Sequence, residues 1–312
     1  MYVGTGRFSR PSFLRVRCNV CLGDALIQKK ISVVMPAYNE AGHIVRNVVE
    51  TVETLQSFGY DFEVIVVDDG SADSTHVVAM QAHAAAPDHV RVIRYDENRG
   101  KGHALLCGAS CANGDLIAFL DADMDLHPNQ LPAFLAIMDA NDADVVVGSK
   151  LHPSSNVNYP RIRKMLSYGY YLIVLALFGL PIRDTQTGLK IFKRDVLEKI
   201  APLSRMEHFA FDVELLTWAH LFGFRLIDAP VTLHFQRAFS RVRLRDIFVV
   251  FRDTMRIFVR LRLLAPVIKE IVGIGVRPRL LGVEQRLPSY LPHAMNLNVE
   301  IAESRISLVE SA

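Results

Sequence analysis

The sequence predicts an α/β fold built on a parallel, helix-covered sheet. Short apolar strands alternate with helical stretches from Ile31 onward, and polar turns follow four strands in succession, reading DDG, NRGKG, DADMD and GSK. Ligands of such sheets sit at the carboxyl ends of the strands, so the same turns predict where a site lies. With 312 residues, half of them hydrophobic, the chain has ample material for one large domain or two modest ones.

Ile31–Met35 (ISVVM) reads as a buried strand, followed by PAYNE and a helix from about Ala41 to Phe58. Phe62–Val67 is a second strand, ending at DDGSADST, where Asp73 or Ser74 suits a helix cap. Val90–Tyr95 is a third; ENRGKGH then makes a glycine-bearing turn before a helix from about Ala104 to Ala112. Leu116–Leu120 delivers the acidic stretch DADMD, and Asp144–Gly148 is a fifth strand. Beyond it, Arg161–Leu180 reads as a helix with a basic start and an apolar end, Phe209–Gly223 as another helix, and Arg225–Leu233 as another strand. Leu244 to about Leu264 is a long helix with Leu244, Ile247, Phe251, Met255 and Phe258 on one face and Arg252, Arg256 and Arg260 on another. The organisation that follows is a basic N-terminal extension (1–30), a catalytic domain (31–240), an amphipathic interface helix (241–272) and a C-terminal tail without a role to read (273–312).

A net charge of +2 gives no reason to expect nucleic acid. The distribution says more. Arg7, Arg10, Arg15, Arg17, Lys29 and Lys30 face one acid, Asp24, in residues 1–30, and seven arginines crowd residues 241–262, a pattern that suits an anionic surface. The longest apolar run, Tyr170–Ile182, has 13 residues, short of the roughly 18 that a span needs, so no transmembrane helix is expected. Met1–Arg17 lacks the apolar core of a secretory signal. Cys18, Cys21, Cys107 and Cys111 make no disulfide framework, and the Cys18–Cys21 pair lacks the second ligand pair of a zinc site. The expected location is the cytoplasmic face of a membrane, held peripherally.

Asp121, Asp123 and Asp125 pose the chemical question. A calcium loop would need Gly and Glu where Leu126 and Pro132 stand. An aspartyl-phosphate phosphatase would carry its nucleophile on the first strand, and this motif follows the fourth. Two carboxylates ~5 Å apart repel by about 3 kcal/mol at an effective dielectric of ~20. A divalent cation reverses that sign and presents open positions to phosphate oxygens, so a metal site clamping a diphosphate is the reading with a physical motive.

SVVMPAYNE, VIVVDDGSADST, NRGKGHAL, FLDADMDLHP, GSK, RDTQTGLKIFKR and FAFDVELL, in this order from Ile31 to about Leu264, resemble family 2 glycosyltransferases of the polyprenyl-phosphate hexose synthase type. The resemblance implies the GT-A fold, a Rossmann-like nucleotide-diphospho-sugar transferase with a mixed, mostly parallel sheet and amphipathic interface helices. RDTQTGLKIF and FAFDVELL look most like the dolichyl-phosphate glucosyltransferase branch, whereas DADMDLHP is similar to the mannose branch, so the donor stays open between UDP-glucose and GDP-mannose.

The resemblance also implies roles. Pro36, Tyr38 and Glu40 match the segment that holds the nucleoside, and Asp68 and Asp69 match the acids near base and ribose. Asp121 and Asp123 match the metal and nucleotide acids, with Asp125 a third ligand for Mg²⁺ or Mn²⁺. Lys150 would face donor phosphate, and Lys101 reads equally as a ligand or a solvated loop charge. Asp212 and Glu214 would lie beside the donor sugar and acceptor, although Asp212 also fits a helix cap. Arg163, with Lys164, and Arg237 and Arg241, with Ser240 and Arg243, fall where the acceptor phosphate of a polyprenyl or dolichyl phosphate would be met. The helices at 161–180 and 244–264 suit a membrane surface, though core packing also accounts for the first. Three rivals remain at this stage: a soluble family 2 transferase acting on a glycan or small-molecule hydroxyl, an inactive nucleotide-sugar-binding membrane protein, and the phosphohydrolase.

Overall fold

The computed structural model describes residues 29–157, 161–205, 210–233 and 249–261. Its strands are β1 (Ile31–Ala37), β2 (Phe62–Asp69), β3 (Val90–Tyr95), β4 (Leu116–Phe119), β5 (Val145–Ser149), β6 (Lys190–Lys193) and β7 (Leu226–Pro230). Its helices are α1 (Ile44–Phe58), α2 (Thr75–Ala85), α3 (Lys101–Ser110), α4 (Leu131–Ala140), α5 (Arg161–Phe178), α6 (Arg194–Ile200), α7 (Phe211–Leu221) and α8, the helical backbone at 249–261.

The strands form one sheet in the order β3-β2-β1-β4-β6-β5-β7. All pairings are parallel except those of β6, which runs antiparallel between β4 and β5. The sheet is therefore mixed and mostly parallel. Alternation along the strands divides the core between its faces. Val33, Met35, Val64 and Val66 pack with Ile44, Val48 and Leu55 of α1 and with Phe134 and Leu135 of α4. Val34, Ile65 and Val67 turn the other way, toward Leu105 of α3, Val174 and Phe178 of α5, Trp218 of α7 and Ile257 and Leu261 of α8.

The expected strands are all present, β3 with the expected bounds and the others with ends shifted by at most three residues, and α1 begins at Ile44 instead of about Ala41. Three elements have no counterpart in the sequence reading: α4, α6 and β6. β6 is only four residues long and begins and ends on lysine, so neither its period nor its flanks announce a central strand. α3 starts at Lys101, not near Ala104, because Gly100 takes φ 95 and turns the chain directly into the helix.

α8 corrects the reading of its faces. Its buried side is Asp253, Thr254, Ile257 and Leu261; Phe251 is exposed and Phe258 half-buried. Arg260, read as part of an outer basic face, turns inward to an ion pair with Glu214, while Arg252 and Arg256 remain outside beside Asp253. On α5, Val174 and Phe178 serve the core, whereas Ile162 and Met165 are 73% and 72% exposed, with Leu172 and Leu175 also exposed. No helix among the described residues is long and apolar enough to cross a membrane. Residues 1–28 and 262–312, and with them Cys18 and Cys21, lie outside the described residues.

Candidate active site

The carboxyl ends of β1 and β2 are adjacent, with Ala37 in register with Asp68, and this brings PAYNE onto DDGSADST. Asn39 sits in the left-handed region at φ 55; its N–H donates to Ser71 Oγ at 2.9 Å, and its Oδ1 accepts from Ala72 N–H at 3.0 Å. Glu40 N–H donates to Thr75 Oγ1 at 2.8 Å. The two loops are thus one rigid ledge, with Tyr38 exposed along it.

Asp68 and Asp69 have different work. Asp69 accepts from Tyr95 Oη at 2.6 Å, from Arg99 N–H at 2.8 Å and from Gly100 N–H at 3.0 Å, so its oxygens hold the NRGKG turn. Burial, with the bond to Asp69, pushes the Tyr95 hydroxyl pKa up. Asp68 is fully buried; Oδ1 accepts from Ser71 N–H at 3.1 Å, while Oδ2 has no hydrogen-bond partner and lies 3.8 Å from Arg94 Nε. Gly70, at φ 65, has the backbone of Glu97 and Asn98 against it, which leaves no room for a side chain between these turns.

The acidic stretch leaves β4 with alternating exposure: Asp121, Asp123 and Asp125 are half-buried and share one side, while Ala122 and Met124 are buried. Met124 takes φ 59, a strained position for a residue with a side chain. Lys101, first in α3, places Nζ 2.5 Å from Asp121 Oδ1. Partial burial works against the Lys101 charge, but Asp121, Asp212 and Asp123 outweigh it and raise its pKa. Burial likewise works against the Asp121 anion, and Lys101, Lys190 and Lys150 bring its pKa below the usual carboxylate value. Asp123 has less help: burial, then Asp121 and Asp125, outweigh Lys101 and the Asp125 N–H and push it up to about 6. Gly188 lies so close to the Asp121 carboxylate that any side chain there would overlap it.

Among the described residues no three His, Cys, Asp or Glu side chains are gathered as a closed metal site. The donor chemistry nevertheless fits a hard divalent cation. Burial and the neighbouring Asp121 and Asp125 hold Asp123 above its ordinary pKa, and Asp125 Oδ1 is buried without a hydrogen-bond partner. Asp121, Asp123 and Asp125 are the residues that would hold such an ion.

Opposite this stretch, Lys150 follows β5 with Nζ 3.3 Å from Asp184 Oδ2, and its N–H donates to the same oxygen at 3.1 Å. Asp184 also accepts from Thr187 Oγ1 at 2.7 Å. Burial works against its charge, and Lys150 and these donors lower its pKa. Deeper in, Lys190 Nζ of β6 lies 2.7 Å from Asp212 Oδ1 in the first turn of α7. Both side chains are buried. Glu214, two residues on, belongs to another group: it accepts from Ser204 Oγ at 2.9 Å and Arg205 N–H at 3.0 Å and pairs with Arg260.

Pro36, Tyr38, Glu40, Asp68 and Asp69 therefore lie at the carboxyl ends of β1 and β2, and Lys101, Asp121, Asp123, Asp125, Lys150 and Asp212 form one connected group of charges beyond β4, β5 and β6. Glu214 stands apart, fully buried against α8. The Arg163 side chain, Arg237 and Arg241 lie outside the described residues. Asp184, Gly188 and Lys190 went unassigned in the sequence, although all three sit in RDTQTGLKIFKR; the available signal was a lysine inside the apolar stretch LKIF.

A mostly parallel sheet with one antiparallel strand, carrying paired carboxylates and lysines at its strand ends, defines a GT-A glycosyltransferase. The chain belongs to glycosyl transferase family 2, whose model matches residues 32–201. It is 34% identical over 216 residues to the dolichyl-phosphate beta-glucosyltransferase of Homo sapiens, covering 65% of this chain and 67% of that protein. The corresponding enzyme of Dictyostelium discoideum is 28% identical over 249 residues, covering 71% and 76%. Glycosyltransferase AglD of Haloferax volcanii is 35% identical over 204 residues, and the chain spans only 32% of its length. Among solved structures, glucosyl-3-phosphoglycerate synthase from Mycobacterium tuberculosis in complex with UDP matches with a TM-score of 0.57 at 20% identity, covering 81% of this chain and 86% of that one. A complex of the same synthase with Mn²⁺, UDP-glucose and phosphoglyceric acid also gives a TM-score of 0.57, at 19% identity. At such identities the likeness speaks to the fold.

Proposed function

We propose that this glycosyltransferase is a membrane-associated, metal-dependent, inverting enzyme that moves a hexose from a nucleotide-diphospho-sugar to a polyprenyl phosphate such as dolichyl phosphate. One observation carries the reading. α5 exposes Ile162, Met165, Leu172 and Leu175 outward, while Tyr170 and Tyr171 of the same helix line a cleft with Lys150, Asp184 and Gln186. A lipid-linked phosphate suits that combination: an apolar surface for the chain and, beside it, a polar cleft with a lysine for the head. The exposed Arg252 and Arg256 of α8 suit the anionic headgroups of a membrane's cytoplasmic face, against which the protein would lie without spanning it. The names of the relatives support dolichyl phosphate as acceptor and favour a glucosyl donor over a mannosyl one.

In this reading the ledge of Pro36, Tyr38 and Glu40, with Asp68 beneath it, takes the nucleoside, and Asp69 keeps the neighbouring turn in place. Lys101 and Lys150 face the diphosphate. A Mg²⁺ or Mn²⁺ ion on Asp121, Asp123 and Asp125 would neutralise charge on the leaving diphosphate. The acceptor phosphate is already ionised near pH 7, so it needs orientation and charge neutralisation more than a base. Arg163, Arg237 and Arg241 are proposed for that task by their places in the sequence, and Asp212 for orienting the sugar or acceptor. Attack opposite the leaving group gives the β-linked product.

The test is direct. The protein and its Asp123→Ala variant are incubated with Mn²⁺ or Mg²⁺, radiolabelled UDP-glucose or GDP-mannose, and dolichyl or undecaprenyl phosphate, and label is counted in the organic phase. The expected outcome is metal-dependent, lipid-soluble label from UDP-glucose that Asp123→Ala abolishes. No lipid-soluble label with either donor would sink the reading.

A further inference from the structure

We propose that Lys190 is a positioning residue of the transfer site, fixing the Asp212 carboxylate in the place where it works. The proposal rests on the reading that Asp212 faces the transferred sugar or the acceptor.

Lys190 is 1% exposed, in the middle of the sheet, in register with Phe119 of β4 on one side and Val147 of β5 on the other. Its strand neighbours Leu189, Ile191 and Phe192 are buried and apolar. A leucine or methionine at this position would serve the core at least as well, because a buried ion pair is a poor source of stability beside packed apolar side chains. The ammonium group has two partners at hand: it donates to the Thr187 carbonyl, three residues back, and pairs with Asp212 at 2.7 Å. The first contact ties the lysine to its own turn. The second crosses to another element and ends on the carboxylate at the start of α7.

Two features keep Lys190 from acting on substrate itself. It is buried, and Lys101 and Asp121 stand on the cleft side, with Lys101 Nζ already 2.5 Å from Asp121. What Lys190 controls is the direction of Asp212. A first-turn carboxylate with no partner would swing toward the backbone N–H groups of its own helix terminus. Paired to a strand that lies between the strand bearing Asp121 and the strand leading to Lys150, it is held toward the cleft instead. An error of ~1 Å in such a group is enough to reduce turnover about 100-fold.

A double-mutant cycle tests this on the full chain. Turnover is read as nucleotide release from UDP-glucose, with and without dolichyl phosphate, for wild type, Lys190→Met, Lys190→Arg, Asp212→Asn and the Lys190→Met/Asp212→Asn pair. Lys190→Met is expected to lower kcat about 100-fold with donor KM within about threefold, and Lys190→Arg to recover most of the loss. The pair should be no slower than Asp212→Asn alone, since Lys190 acts only through Asp212. Effects that multiply, or a loss confined to donor KM, would overturn the proposal. If Lys190→Met alone fails to fold by circular dichroism, the comparison inside the Asp212→Asn background, where no unpaired carboxylate is left, decides the matter. A wrong acceptor shows itself differently: wild type gains nothing from the lipid, while the cycle remains readable in lipid-independent donor hydrolysis.

Discussion

The two ends of the sheet treat their polar groups in opposite ways. At the amino ends of the strands, Glu63 accepts from Ser32 Oγ at 2.7 Å, from Asn113 N–H at 2.6 Å and from Arg91 at 3.2 Å. Lys193 pairs with Asp144, which also accepts from Arg225 N–H, and Arg194 donates to the Gly114 carbonyl. At the carboxyl ends, Asp68 Oδ2, Asp125 Oδ1, Ser149 Oγ, Thr185 Oγ1 and Gln186 Nε2 are buried without hydrogen-bond partners, and Asp123 is charged against its surroundings. Buried polar groups are normally satisfied, so these atoms set the carboxyl edge apart from the amino edge. One end is closed by its partners; the other, where the proposed site lies, is less so.

The comparison breaks if removing a group from the open end harms stability more than activity. Asp123→Asn is expected to lower metal-dependent transfer at least ~100-fold, since it deletes an anionic ligand while nearly keeping shape. The same change removes a charge repelled by Asp121 and Asp125, so the melting temperature should rise, by about 2–4 °C for ~1 kcal/mol in a chain of this size. Differential scanning calorimetry beside the transfer assay checks both halves. A fall in melting temperature would show that Asp123 is a structural member of the fold.

Glu63→Gln makes the opposite prediction at the closed end. It keeps an acceptor but loses the charge that Arg91 and the Asn113 N–H meet, which should destabilise by about 2–3 kcal/mol and leave kcat of the folded protein unchanged. The pH dependence follows from the direction of the Glu63 shift. Burial works against its charge, yet the Ser32, Asn113 and Arg91 bonds lower its pKa in the folded state. A carboxylate depressed by folding stabilises fully above its unfolded pKa, about 4.3, and that contribution is lost as pH falls through the lower folded value. The gap in melting temperature between wild type and Glu63→Gln should therefore hold from pH 7 to about 5 and close below about 4. A gap that widened on acidification would contradict the assignment.

How much of this was legible in the sequence depends on the kind of signal each part carries. Strands of β-branched residues such as Phe62–Asp69 declare themselves by composition, and the turns that follow them declare the open edge. Asp68 and Asp69 close β2 and Asp121 stands two residues beyond β4, so their positions could be read by counting. Lys190 and Asp184 could not, because their importance comes from partners across the sheet, Asp212 and Lys150, at separations that no local pattern encodes. Glu214 shows the same limit: it is two residues from Asp212, but half a helical turn away in direction, and it pairs with Arg260 of α8. The amphipathic reading of α8 failed on Arg260 because periodicity identifies a face without saying what lies opposite it.

The smallest effects sharpen the contrast furthest, because they separate backbone strain from use. Asp142 precedes β5 at the closed end with φ 45, and Asn39 lies at the open end with φ 55. Left-handed backbone favours glycine at both, so glycine relieves the same strain in each. The Asp142 side chain is 94% exposed and lies 3.5 Å from Lys193, a contact worth little in water. Asp142→Gly should therefore stabilise slightly, by about 0.5 kcal/mol. Asn39 differs in that its Oδ1 accepts from Ala72 N–H and joins the two loops of the ledge. Asn39→Gly gives up that bond, and the difference between the two substitutions should be about 1 kcal/mol, the worth of one hydrogen bond. Urea melts of both variants measure it. Equal effects would mean that the Asn39–Ala72 bond contributes nothing, and that the ledge at the open end is held by Ser71 and Thr75 alone.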